Sequence, residues 1–133
     1  MSVHDGDTLR AIDEGNVERK VRLVGIDAPE LGQAFGRVAR DRLRELALRQ
    51  RVVVELHDRD RYGRDLATVV IEGASIIRQL VAEGLAWHFT RYSSDADLAV
   101  AEAAARNARI QLWADAPPVA PLDWRASEAE RKR

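Results

Sequence analysis

Two carboxylates flank a glycine in Asp5-Gly6-Asp7-Thr8, and two more flank a proline in Asp27-Ala28-Pro29-Glu30. The first segment reads as a tight turn and also as one side of a hard-cation site, which takes oxygen ligands. The second follows an apolar run, Val21 to Ile26; proline restricts φ there, so the loop holds its acids with little freedom. Taken singly, each is explained as well by solvated turn residues. Arg22 lies inside the apolar run. Strand alternation puts it on one face with Val24 and Ile26, and a buried guanidinium needs a partner. The fourth segment, Arg59-Asp60-Arg61-Tyr62-Gly63-Arg64-Asp65, mixes guanidinium groups with an aromatic ring and a glycine. Most charge runs are solvated loops, but this mixture suits phosphate and base contact. Phosphodiester hydrolysis needs an activated water, a counter-charge for the pentacoordinate phosphorus, and a grip on the non-bridging oxygens. Carboxylates with a cation, together with two arginines, supply all three.

The elements that must position these groups follow from hydrophobic spacing. Val3 to Ile12 alternates, Glu14-Gly15-Asn16 is a turn, and Val17 to Ile26 resumes, which predicts a hairpin. Between Phe35 and Arg49 the residues Val38, Ala39, Leu43, Leu46 and Ala47 recur at helical spacing. Val52 to Leu56 and Leu66 to Ile71 read as strands, on either side of the polar loop that carries Arg61 and Arg64. Ser75 is a good N-cap for a helix through Glu83, with Gly84 just past its end. Leu85 to Phe89 reads as a fifth strand and Asp95 to Ala108 as a third helix. Beyond Trp113 the Pro-rich stretch and the charged end predict an extended or disordered tail over residues 114–133, lying across a single domain of residues 1–113. The order β-β-α-β-β-α-β-α suits a small OB barrel and several other α+β folds.

Bulk properties exclude more than they assign. The chain has 133 residues, one domain's worth, and no cysteine, so it has no disulfide, thiolate metal site or cysteine nucleophile. No run approaches the ~20 apolar residues of a membrane span. Net charge is −1, from 21 basic and 22 acidic residues, so phosphate affinity must come from locally placed arginines or a bound cation. The stretch MSVHDGDTLR has neither a basic leader nor an apolar segment. A processed chain would look the same, and the compartment is left open: secreted, periplasmic or cell-associated if a leader was removed, cytoplasmic otherwise.

Three blocks in order, Val3 to Leu9, Val21 to Glu30 and Asp60 to Arg64, resemble the signatures of the staphylococcal nuclease family. Agreement continues from Gly84-Leu85-Ala86 to Leu112-Trp113. The resemblance implies an α+β, mainly β fold: a five-stranded OB-fold Greek-key barrel with three helices. It implies a Ca²⁺-dependent nuclease acting on DNA and RNA with little sequence preference, monomeric and not membrane-bound. Asp7 and Asp27 would bind Ca²⁺ through their carboxylates, and Ala28 through its backbone carbonyl. Glu30 would act on the attacking water, and Arg22 and Arg64 would hold the phosphate. Arg61 and Tyr62 match positions that contact a terminal phosphate, and Tyr92 matches one of two tyrosines near the nucleotide; Thr90 stands at the other. Alanine replaces threonine at position 28, where the ligand is main-chain. The alternative is a non-catalytic OB module that binds nucleic acid or protein. Such modules have lost the acidic and arginine residues that this chain keeps. A nuclease fold recruited as a regulatory protein is a third reading.

Overall fold

The computed structural model describes residues 2–91, 93–114 and 118–132. Its main sheet runs β1 (Ser2–Asp5), β2 (Thr8–Ile12), β3 (Glu18–Leu23), then β6 (Asp65–Ile71) and β5 (Val53–Arg59), with the short β7 (Ala74–Ser75) also on β6. A separate two-stranded ladder joins β4 (Ile26–Asp27) to β8 (Trp87–His88). Neighbours are antiparallel except β3 and β6, which pair in parallel. Helix α1 (Gly36–Ala47) crosses from β4 to β5, and α2 (Ile76–Ala82) and α3 (Ala96–Ala108) follow the sheet.

Alternation builds the core. Leu9, Val21, Leu23 and Val69 are fully buried on the sheet's inner face, where Leu43 of α1 and Ile76, Leu80 and Val81 of α2 meet them. A side cluster stacks Trp87 against the edge of Trp113 at 4.5 Å, with the Arg106 guanidinium 4.2 Å from the Trp113 ring centroid. The caps on α2 and α3 are local: Ser75 accepts a hydrogen bond from the Arg78 N–H, and Asp95 accepts from the N–H groups of Asp97 and Leu98.

Four expectations need correction. The single first strand is two, because Asp5 accepts a hydrogen bond from the Asp7 N–H (3.2 Å) and closes a turn between β1 and β2. The second strand likewise breaks at Val24-Gly25, leaving Ile26-Asp27 to pair with β8. Among the described residues the sheet is open, with β1 and β5 at its ends, and every residue of β5 is exposed. Among the described residues the α-helices number four, since residues Pro121–Arg131 of the expected tail form α4. Pro121 at the first turn, Asp123 within it and Arg131 in the last turn explain that helix: proline presets φ, and the charges complement the helix dipole.

Candidate active site

Asp7 leaves the β1–β2 turn pointing inward, 6% exposed. Its Oδ2 accepts from the Ala28 N–H at 2.8 Å, its Oδ1 from the Thr8 hydroxyl at 3.1 Å, and its carbonyl from the Leu23 N–H at 2.9 Å. These bonds tie the first turn to the end of the apolar run, across 21 residues of chain. Gly6 allows the approach, since a Cβ there would lie 2.7 Å from the Cβ atoms of both Ala28 and Ala39.

Arg22, opposite Thr8 in the β2–β3 register, turns its guanidinium to the acids. Its Nη2 stands 3.5 Å from Asp7 Oδ2 and 3.6 Å from Asp27 Oδ1, and its Nη1 donates to the Leu23 carbonyl at 2.6 Å. The guanidinium that alternation placed on a partly apolar face thus has its partners. Asp27 is 3% exposed, and burial pushes its carboxyl above the usual range against the opposing pull of Arg125 and Arg22. Asp5 is pushed up to about 6, first by burial and then by the neighbouring charge of Asp7.

Glu30 is set by the loop into α1. Its N–H donates to Gln33 Oε1 at 3.1 Å, and its carbonyl accepts from the Gln33 N–H at 2.9 Å. Arg64 arrives from the loop before β6, where Asp60 fastens it twice: Arg64 N–H to Oδ1 at 3.0 Å and Nε to Oδ2 at 2.6 Å. Tyr62, 66% exposed, lies beneath two guanidinium groups, Arg61 at 5.1 Å and Arg64 at 5.7 Å from its ring centroid. One cleft of about 690 Å³ is lined by Asp7, Arg22, Asp27, Glu30, Tyr62 and Arg64. Arg61 lines an adjoining cleft of about 440 Å³ with Leu23, Val24, Leu66 and Phe89. Ala28 is buried beside Asp7, and Tyr92 lies outside the described residues.

Sequence reasoning missed Arg125. From α4 its Nη1 reaches Glu30 Oε1 at 2.7 Å and Asp27 Oδ1 at 3.3 Å, and its Nη2 reaches Asp27 Oδ2 at 3.1 Å. Burial opposes the Arg125 charge, but the bonds to Asp27 and Glu30 outweigh it and hold the proton more firmly. The helix itself has local signals; its contact with residues almost a hundred positions earlier has none.

Among the described residues no three His, Asp or Glu side chains converge as a ready metal cage. The donor set implied by the signature blocks is smaller: two carboxylates and one backbone carbonyl, all oxygen, with water to complete the shell. The Arg125 guanidinium against Asp27 and Glu30 already stands in for a cation at that point. These residues fit a hard cation.

The sequence profile of a family described as staphylococcal nuclease homologue matches residues 20–115, most of the chain and the segment that supplies Arg22, Asp27, Glu30 and Arg64. This chain belongs to the staphylococcal nuclease family. Relatives agree along nearly its whole length. An endonuclease of Haemophilus influenzae is 39% identical over 128 residues, 96% of this chain and 72% of that protein. An endonuclease of Escherichia coli O157:H7 is 40% identical over 126 residues, 94% of this chain and 82% of that protein. A micrococcal nuclease of Shigella flexneri is 40% identical over 136 residues, 94% and 78% of the two chains. The chain spans only 33% of a 38.1 kDa protein of Capnoides sempervirens, to which it is 36% identical over 113 residues. Within the family fold, the turn at Asp7, the strand end at Asp27 and the loop at Arg64 meet at one cleft.

Proposed function

We propose that this chain is a calcium-dependent nuclease that hydrolyses phosphodiester bonds in DNA and RNA with little sequence preference, acting as a monomer. The observation that carries this reading is the single Arg22 nitrogen within 3.6 Å of two buried carboxylates, in the cleft that Glu30 and Arg64 also line. Every group the reaction needs comes from one chain, and the names of the relatives support the reaction class.

Asp7, Asp27 and the carbonyl of Ala28 would hold Ca²⁺, which when bound offsets the charge on the phosphate and draws it to the acids. Glu30 holds the attacking water by a hydrogen bond and takes its proton as the oxygen closes on phosphorus. Arg22 and Arg64 donate to the non-bridging oxygens. Negative charge accumulates on those oxygens as the water attacks, so these bonds strengthen most at the transition state, where they accelerate the reaction. The P–O bond to the leaving oxygen then breaks. Arg61 and Tyr62 grip a neighbouring phosphate, and Tyr92 contacts the nucleotide. The apolar cleft lined by Leu23, Val24, Leu66 and Phe89 receives a base without reading its edges, which accounts for low sequence preference.

Purified protein should cleave single-stranded DNA with Ca²⁺ and stop when EGTA is added, followed by release of acid-soluble nucleotide. Salt-dependent binding without cleavage, over a range of Ca²⁺ and pH, would sink the reading in favour of a binding module.

A further inference from the structure

No signature block contains Arg125, yet it lines the cleft beside Asp27 and Glu30. Three contacts seat α4 beside the Glu30 loop: Pro121 is fully buried, the Trp124 ring packs on Gly32, and the Gln33 amide donates to the Val119 carbonyl. From that seat Arg125 takes both oxygens of Asp27 and one of Glu30. A hard cation binds carboxylate oxygen at about 2.3–2.6 Å and would need the same Asp27 lone pairs. Two positive groups at so short a separation repel, so a guanidinium hydrogen-bonded to both Asp27 oxygens competes with the cation for them, unlike Arg22, which stands 3.6 Å off. We propose that Arg125 is an internal competitor for the divalent cation: α4 latches the cation-free site, and cation binding releases Arg125 from Asp27. This rests on the reading of Asp27 as a cation ligand.

The latch has a reason in charge. Asp7 and Asp27 share a single Arg22 nitrogen, and among the described residues Glu30 has no ion pair but that with Arg125, so the negative charge at Asp27 and Glu30 exceeds what Arg22 offsets there. Arg125 offsets that excess until a cation does so. The apparent affinity for the cation is then lowered by the fraction of molecules in which Arg125 holds Asp27. Calorimetric titration of the full chain with CaCl₂ tests this. Arg125→Ala and Arg125→Gln, which keeps the stem without the charge, should bind Ca²⁺ about three- to tenfold more tightly than wild type. Arg125→Lys should fall between, since an ammonium cannot span both carboxylates as the guanidinium fork does. Unchanged or weaker binding in the Ala and Gln variants overturns the latch. If wild type still cleaves DNA with Ca²⁺ in that case, the nuclease reading stands alone; if neither wild type nor variants bind Ca²⁺, both fall.

A second inference rests on strand register, independent of α4. Arg22 and Lys20 alternate on one side of β3, and across the ladder Thr8 faces Arg22 while Arg10 faces Lys20. The acidic cleft continues along this row, with Arg10, Lys20 and His4 in its wall. Lys20 is exposed, and its side chain makes no hydrogen bond or ion pair among the described residues. Among the described residues the Arg10 side chain pairs only with the exposed Glu18, a contact that yields readily to a phosphate. Side chains two apart on a strand are about 6.7 Å apart, a spacing suited to successive phosphates of an extended strand. We infer that this row binds the substrate strand to one side of the bond cut at Arg22, so the site takes polynucleotides in preference to dinucleotides. This deepens the nuclease reading. With Lys20→Ala and Arg10→Ala combined, kcat/KM on a single-stranded oligonucleotide of about twenty residues should fall about tenfold and that on a dinucleotide should hold. The salt dependence of the long substrate's affinity should flatten by about 1.4 in log–log slope, about 0.7 per lost charge. Equal losses on both substrates, or an unchanged slope, overturns the inference; a wild type inert on both overturns the nuclease reading itself.

Discussion

Glu30→Gln should lower turnover on single-stranded DNA by about 10²–10⁴-fold, the range expected when a positioned general base is lost. The amide keeps the size of the side chain but cannot accept a proton at neutral pH. Arg64→Ala should lower turnover by about 10²–10³-fold, as for one donor to a developing oxyanion. Both side chains stand at the wall of the cleft and not in the core; the substitutions touch only partly exposed ion pairs, Arg125 to Glu30 and Arg64 Nε to Asp60, and leave the backbone bonds of Glu30 to Gln33 and of Arg64 to Asp60 in place. The folds of the variants should therefore survive. Binding of a nucleotide bisphosphate should change far less than turnover, because these groups act mainly on charge that appears only as the water attacks. Single-turnover cleavage beside equilibrium binding separates the two effects. Turnover within about threefold of wild type in either variant would mean that the residue has been given the wrong role.

How much of this site was legible from the chain depends on distance along it. Asp7, Arg22, Asp27 and Glu30 fall in two blocks whose chemistry is local: a turn, a strand end, a proline-fixed loop. Their juxtaposition needed the family pattern, since no rule of alternation says that the Ala28 N–H will meet Asp7 across 21 residues. Ser75 and Gly84 were readable because caps act within one turn of helix. The break between β1 and β2 was half legible, because Asp5-Gly6-Asp7-Thr8 reads as a tight turn while Val3 to Ile12 alternates through it as one strand. The open edge at β5 was not legible: its valines read as strand formers, but which neighbour covers a strand is a tertiary fact. α4 is the clearest case. Prolines and charge suggested a loose tail, whereas burial of Pro121 and the grip of Arg125 on two acids are long-range terms that composition cannot express.

Gly36→Ala should damage stability and activity together. Gly36 opens α1, and a Cβ there would lie 1.9 Å from the Glu30 carbonyl oxygen and 2.7 Å from its carbonyl carbon. These are backbone atoms, so no side-chain rotation relieves the clash. The helix start and the Glu30 loop must move apart. The same carbonyl accepts the Gln33 N–H, and Gln33 in turn holds the Glu30 N–H, so the shift strikes the bonds that aim the carboxylate. Overpacking of this kind costs about 1–3 kcal/mol, and more where backbone must give way. A displacement of about 1 Å at a catalytic group lowers the rate by as much as ~10²-fold. Gly15→Ala is the control. It lies in the hairpin turn before β3, where a Cβ would meet only side-chain atoms, of Asp13 at 3.4 Å and Val17 at 4.0 Å, and it should change neither property much. Urea denaturation gives the stability difference, and turnover at saturating Ca²⁺ gives the other. A Gly36→Ala protein as stable and as active as Gly15→Ala would show that the start of α1 does not set Glu30, and the position of that carboxylate would then have to come from Arg125 and the opposite wall of the cleft.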